Sequence, residues 1–104
     1  MTAHLDEDEG LLISMERAGR TARIAIQGEV DVKAHEAITA AAARIHPAHD
    51  HVIIDLSGVT FIDSHGFEQV LLVRDVLTGT GCRVELVTTG MTDLMLQVVQ
   101  SLAG

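Results

Sequence analysis

Asp63, Ser64 and His65 stand side by side where an apolar run ending at Ile62 gives way to a pattern of helical spacing. A carboxylate, a hydroxyl and an imidazole are the groups of a hydrolytic triad, with Ser64 as nucleophile, His65 as base and Asp31 or Asp63 as orienter. Their spacing argues against that chemistry. Consecutive residues of a helix are turned by roughly 100° from one another, so Ser64 and His65 do not face each other and the nucleophile-to-base hydrogen bond is not made. A Gly-X-Ser-X-Gly elbow and a phosphate-cradling glycine loop are both missing from the chain. No catalytic residue is assigned, and the expectation is a protein that is not an enzyme. What the step does offer is an exposed corner with a hydroxyl, an imidazole and the free N–H groups of a helix start. Ser64 is expected to serve there as the N-cap, and His65 as a surface imidazole near the first helical turn.

A second cluster, His46, His49, Asp50 and His51, follows Pro47. Alternate residues of an extended segment project to one side, so two imidazoles could hold a metal weakly. With no thiolate beside them, no metal and no cofactor are assigned. Cys82 is the single cysteine; it cannot form an internal disulfide, and its position before the apolar Arg83 to Val87 run makes it a packing residue.

Several elements must place the Asp63 corner. Leu11 to Met15 and Arg20 to Gln27 are apolar runs separated by Arg17 to Gly19, the pattern of two strands with a tight connection. Asp31 offers an N-cap to a helix in which Ala34, Ile38, Ala41 and Ile45 recur until Pro47 stops it. His51 to Leu56 has almost no alternation, as in a central strand, and Ser57, Gly58 and Thr60 read as the turn after it. Beyond Asp63, the residues Phe67, Val70, Leu71, Val73 and Leu77 form an apolar arc on a helix ending near Gly79 and Gly81. Arg83 to Val87 is a further strand. Past Gly90, the residues Met91, Leu94, Met95, Val98 and Leu102 trace the core-facing stripe of a last helix, with the methionines as gap-fillers. Strands alternating with helices imply crossover connections and parallel pairing of the strands around His51 and Val84, an α/β arrangement.

Composition narrows the partners. The 104 residues, 47% apolar, make one domain with a modest core. No apolar run approaches the roughly 20 residues of a membrane span, and MTAHLDEDEG is acidic where a signal peptide is basic, so a cytoplasmic protein without membrane insertion is expected. Fifteen acidic against seven basic residues give a net charge of −8, and no Lys/Arg cluster exists to meet a nucleic acid or an anionic membrane. Phe61 and Phe67 are the only aromatics, too few for a base- or sugar-stacking platform. A protein partner is favoured. Asp6 to Glu9 read as part of a solvated, flexible tail over 1–10.

Two separated stretches carry a family resemblance. Gly28-Glu29-Val30-Asp31 resembles the Gly-Glu-Leu-Asp step that closes the second strand of STAS domains (sulfate transporter and anti-sigma factor antagonist). Asp55 to Ser64, DLSGVTFIDS, is similar nearly residue for residue to that family's central strand and loop. The resemblance, running from about Leu11 to the chain end, implies the STAS fold, a mixed β-sheet with helices mainly on one face. It also implies one STAS domain over 11–104 that stops short of the last edge strand carried by many members. Functionally it implies an anti-sigma factor antagonist of the bacterial cytoplasm: a module that binds an anti-sigma factor, a histidine-kinase-like ATPase, and frees a sigma factor for transcription. Members usually read Asp-Ser-Ser-Gly at the corner and are switched by phosphorylation of the second serine. Here that position is His65, and Glu68 stands where many members have a small glycine.

A phosphate adds about −1.5 to −2 charges and three acceptors to a face that a partner must desolvate, which explains such a switch. An imidazole cannot be modified by a serine kinase through the same chemistry. Ser64 remains as a doubtful phosphoacceptor, turned roughly 100° from the usual position. The implied partner face comprises Asp31, Asp63, Ser64, His65, Gly66 and Glu68. Glu68 has two readings: a favourable first-turn charge, or a residue selecting a different partner. STAS domains also serve lipid- and anion-transport complexes, so an accessory subunit of a membrane transporter is the alternative, followed by a scaffold unit in a signalling assembly. The oligomeric state is left open.

Overall fold

The computed structural model describes residues 2–8, 10–31, 34–44 and 50–103. Eight elements follow one another: β1 Thr2–Asp8, β2 Leu11–Ala18, β3 Thr21–Val30, α1 His35–Ala43, β4 His51–Ile62, α2 Ser64–Gly79, β5 Arg83–Val87 and α3 Gly90–Ala103. The five strands form one sheet in chain order, β1-β2-β3-β4-β5. The first three are joined by tight turns and pair antiparallel. Those separated by α1 and α2 pair parallel, as a crossover requires.

Period-two alternation decides which face is buried. Ile13 and Met15 on β2, Ile24 and Ile26 on β3, and Val52, Ile54 and Leu56 on β4 are all buried, and they share one cluster with Ile38 and Ala41 of α1 and Phe67, Val70 and Leu77 of α2. Each such side chain contributes roughly 1.5–3 kcal/mol by leaving water. The result is the expected α/β architecture, a mixed sheet with helices mainly on one face. Cys82 is buried in this core, as its apolar setting implied, and Met15 fills it from β2.

The opposite face is polar. Asp55 is buried there and takes hydrogen bonds from the Arg23 guanidinium and, at 2.8 Å, from the Ser57 N–H. Burial is the largest influence on Asp55 and opposes its ionisation, but the Ser57 hydrogen bonds and the Arg23 charge together outweigh it and hold the carboxyl below its usual range. His51 Nε2 lies 3.5 Å from Glu85 on the neighbouring strand.

Four sequence expectations change. Thr2–Asp8 is not a flexible tail but a strand, paired with β2 from Thr2↔Glu16 to Asp8↔Leu11. Without it, β2 would present an unpaired backbone edge, and the ladder depends on backbone groups that acidic residues also possess. The connection is set by glycines: Gly10 has φ +80°, and Gly28, at φ +95°, lies so close that a Cβ would fall 1.9 Å from the Gly10 carbonyl oxygen. Ser57, Gly58 and Thr60 do not make a turn but continue β4, whose register against β3 shifts between Ala25 and Gln27 and between Gly28 and Glu29. Gly58 sits where a Cβ would meet Gln27 Cγ at 2.7 Å, so it marks close packing inside a strand rather than a chain reversal.

Asp31 does not occupy the N-cap of α1. Ala34 stands there without a side-chain cap, and Asp31 contributes its carbonyl oxygen to the Ala34 N–H at 2.9 Å. Ile45 and Pro47, expected to end that helix, lie outside the described residues, as do His46 and His49. The α3 stripe is also displaced: Leu94 and Val98 are 62% and 51% exposed, while Thr92 is buried and Met95, Leu96 and Val99 are the residues turned toward the core. Thr89 and Thr92 explain the rotation. The Thr92 hydroxyl donates to the Thr89 carbonyl at 2.8 Å and accepts from the Thr89 N–H at 3.1 Å, which pins the helix start with Thr92 inward.

Candidate functional site

The corner that unites the two sequence motifs is built on one carbonyl group. β3 and β4 run parallel, with Glu29 opposite Phe61 and Val30 opposite Ile62, so Glu29-Val30-Asp31 and Ile62-Asp63-Ser64 leave the sheet together. The Asp63 N–H donates to the Val30 carbonyl at 3.2 Å and carries the chain across that strand end. Three residues on, Gly66 passes so near that a Cβ would lie 2.5 Å from the same oxygen. Only a glycine lets the first turn of α2 rest against β3.

The N-cap of α2 is Asp63, not Ser64. Asp63 has extended backbone and its carboxylate accepts the Gly66 N–H at 2.7 Å. A carboxylate satisfies that donor and the positive helix end together, which leaves Ser64 in the first helical position. Ser64 and His65 are exposed, and no hydrogen bond joins them among the described residues. Glu68 is exposed as well, but it lies beyond the first turn, which contains no acidic residue. Its favourable first-turn placement is therefore not realised. Gly66, expected on the exposed partner face, is buried beneath the corner, where it lets α2 approach the Val30 carbonyl.

Beside this corner, α2 and α3 enclose a groove of about 350 Å³ lined by Ser64, Phe67, Glu68 and Leu71 on one side and by Leu94, Met95 and Val98 on the other. Sequence reasoning assigned Leu94 and Val98 to the core and so missed this surface. The signal that could have found it was the Thr89/Thr92 pair, whose spacing fixes where α3 starts and thus which face points inward.

Among the described residues no group of His, Cys, Asp and Glu could hold a metal ion, and no helix is long and apolar enough to cross a membrane. A family model described as "Mlab, STAS domain" matches residues 13–103. The chain belongs to the STAS domain family. Among solved structures, this STAS domain is similar to the anti-sigma factor antagonist SpoIIAA in its unphosphorylated form, with 28% identity, TM-score 0.66, and coverage of 85% of this chain and 81% of that one. An anti-sigma factor antagonist from Mycobacterium paratuberculosis shares the fold at 22% identity and TM-score 0.69, over 94% of this chain and 84% of its own. The protein Mglu matches at 25% identity and TM-score 0.69 over 74% of this chain, which spans only 19% of Mglu's length. No curated protein matches.

Proposed function

We propose that this STAS domain is a cytoplasmic regulatory binding module that binds an anti-sigma factor, a histidine-kinase-like ATPase, and so frees a sigma factor without serine-phosphorylation control. The observation that carries the reading is the corner itself: Asp63 and Gly66 fasten α2 onto the end of β3, leaving Ser64, His65 and Glu68 exposed in a row along its first turns. The similarity to SpoIIAA supports the kind of activity. The net charge of −8 and the two aromatics disfavour a nucleic acid or a carbohydrate, which leaves a protein partner favoured.

In this proposal Asp63 caps rather than contacts, Asp31 flanks the corner, and Ser64, His65 and Glu68 meet the partner. Ser64 points from the first helical position, so a kinase built for the residue after it finds an imidazole. Affinity capture from the source cells, comparing the unaltered protein with His65→Ser and Glu68→Gly, tests the face: loss or exchange of a histidine-kinase-like ATPase supports it, and identical partners in all three reject it. Incubation with that ATPase and ATP tests the switch. The unaltered protein should keep its intact mass and His65→Ser should gain one phosphate. A gain in the unaltered protein that Ser64→Ala abolishes would overturn the loss of control. Recovery of an ATPase together with a permease would instead establish the transporter-subunit alternative.

A further inference from the structure

The groove between α2 and α3 contains more apolar surface than the corner uses. Leu94 and Val98, one turn apart on α3, are more than half exposed, and on α2 Leu72 and Val76 are 55% and 58% exposed. Glu68, Leu72 and Val76 succeed one another at four-residue spacing, so they form one ridge of α2 facing outward beside the groove. Two helical ridges flanking an apolar trough accommodate a third helix, whose residues at i, i+3, i+4 and i+7 fill the trough.

Charge selects the kind of helix. Arg74 is paired with Asp75, and Asp93 accepts hydrogen bonds from Thr88 and Gln97. Glu68 is the one charged residue lining the groove, and it has no ion pair among the described residues. A second copy of this −8 chain, or an acyl chain with an anionic head, would bring like charge to that carboxylate. A cationic helix would complement it.

We propose that the α2/α3 groove receives an amphipathic helix of the partner protein whose apolar stripe lies on Leu71, Leu94, Met95 and Val98 and whose Lys or Arg meets Glu68. This rests on the reading of the neighbouring corner as a partner face, and names what part of the partner reaches beyond it.

The test uses the full chain, isotopically labelled, with two synthetic helices of identical leucine stripe, one bearing lysines and one glutamates on its polar face. The lysine peptide should bind, with amide shifts concentrated at Phe67 to Leu72 and Leu94 to Val99. Leu94→Glu, at an exposed position that leaves the fold intact, should weaken it by about tenfold or more, and Glu68→Lys should weaken it about tenfold while admitting the glutamate peptide. Shifts spread over the acidic surface, equal binding of both peptides, or no effect of either substitution would overturn the proposal. So would a concentration-dependent dimer that Leu94→Glu dissolves, which would make a second copy the occupant. If the unaltered protein and Leu94→Glu capture the anti-sigma ATPase equally, the groove proposal falls and the regulatory reading stands; if neither captures one while the lysine peptide binds as described, only the regulatory reading falls.

Discussion

Replacing Gly66 by alanine pits two opposite effects against each other. Alanine is the better helix former by up to about 1 kcal/mol, part of it from a less flexible unfolded chain, so on propensity alone Gly66→Ala stabilises. The tertiary contact says otherwise. The new Cβ would lie 2.5 Å from the Val30 carbonyl oxygen and 2.9 Å from both its carbon and Cγ1. Two of these atoms are backbone of a strand held in the sheet by β4, so no side-chain rotation relieves them. Overpacking of this kind costs about 1–3 kcal/mol, and the rigid neighbours put this case at the upper end.

The net expectation is a loss of about 1–2 kcal/mol. At about 2.1 cal/mol/K of unfolding entropy per residue, this chain should lose roughly 5–10 °C in Tm. Thermal and urea unfolding followed by circular dichroism measures it. Gly79→Ala is the control, because a Cβ there meets nothing within 4 Å; it should equal the unaltered protein or exceed it by up to about 1 kcal/mol. If Gly66→Ala is as stable as the unaltered chain while Gly79→Ala behaves as stated, the close seating of α2 on β3 is wrong. The same displacement would carry Ser64 and His65 away from the Asp31 segment, so capture of the partner should weaken with stability.

Asp63→Ala removes the cap on Gly66 N–H and should cost about 1 kcal/mol, read as a Tm lower by roughly 5 °C, whereas Ser64→Ala should change stability by less than about 0.5 kcal/mol. Asp55 has a lowered folded pKa, so its contribution is present above the unfolded carboxyl value near 4 and disappears as pH falls through the still lower folded value. Urea unfolding from pH 7 to 2 should therefore show stability falling on that acid limb, with a shallower fall in Asp55→Asn. That variant should also lose up to about 1 kcal/mol at pH 7, since it removes the Arg23–Asp55 ion pair while the partly exposed Arg23 keeps Glu16 at 3.7 Å as a partner. Leu94→Ala should cost less than about 1 kcal/mol, against the 2–5 kcal/mol typical of a buried leucine, and a value in that upper range would restore Leu94 to the core.

Much of this protein was legible because its signals are local. The apolar alternation of β2 and β3, the apolar His51 to Leu56 run and the arc from Phe67 to Leu77 specify elements by periodicity, and glycine turns separate them. The motif pair Gly28 to Asp31 and Asp55 to Ser64 pointed to the STAS family before any contact was known, and the net charge already favoured a protein partner. Tertiary structure decided what local pattern leaves degenerate. Whether Asp63 or Ser64 caps α2, whether Gly58 turns or pairs, and whether acidic Thr2–Asp8 is tail or strand depend on which backbone groups lie opposite, and those come from distant residues. Likewise Leu94 and Val98 continue an apolar stripe through Met95 as well as Leu96 and Val99 do; Met95 faces the core as expected, and the Thr89/Thr92 hydrogen bonds and the position of the sheet settle that Leu96 and Val99 turn inward with it while Leu94 and Val98 do not. Residue order carries the period of an element, but the face it buries is set by neighbours that only the folded chain supplies.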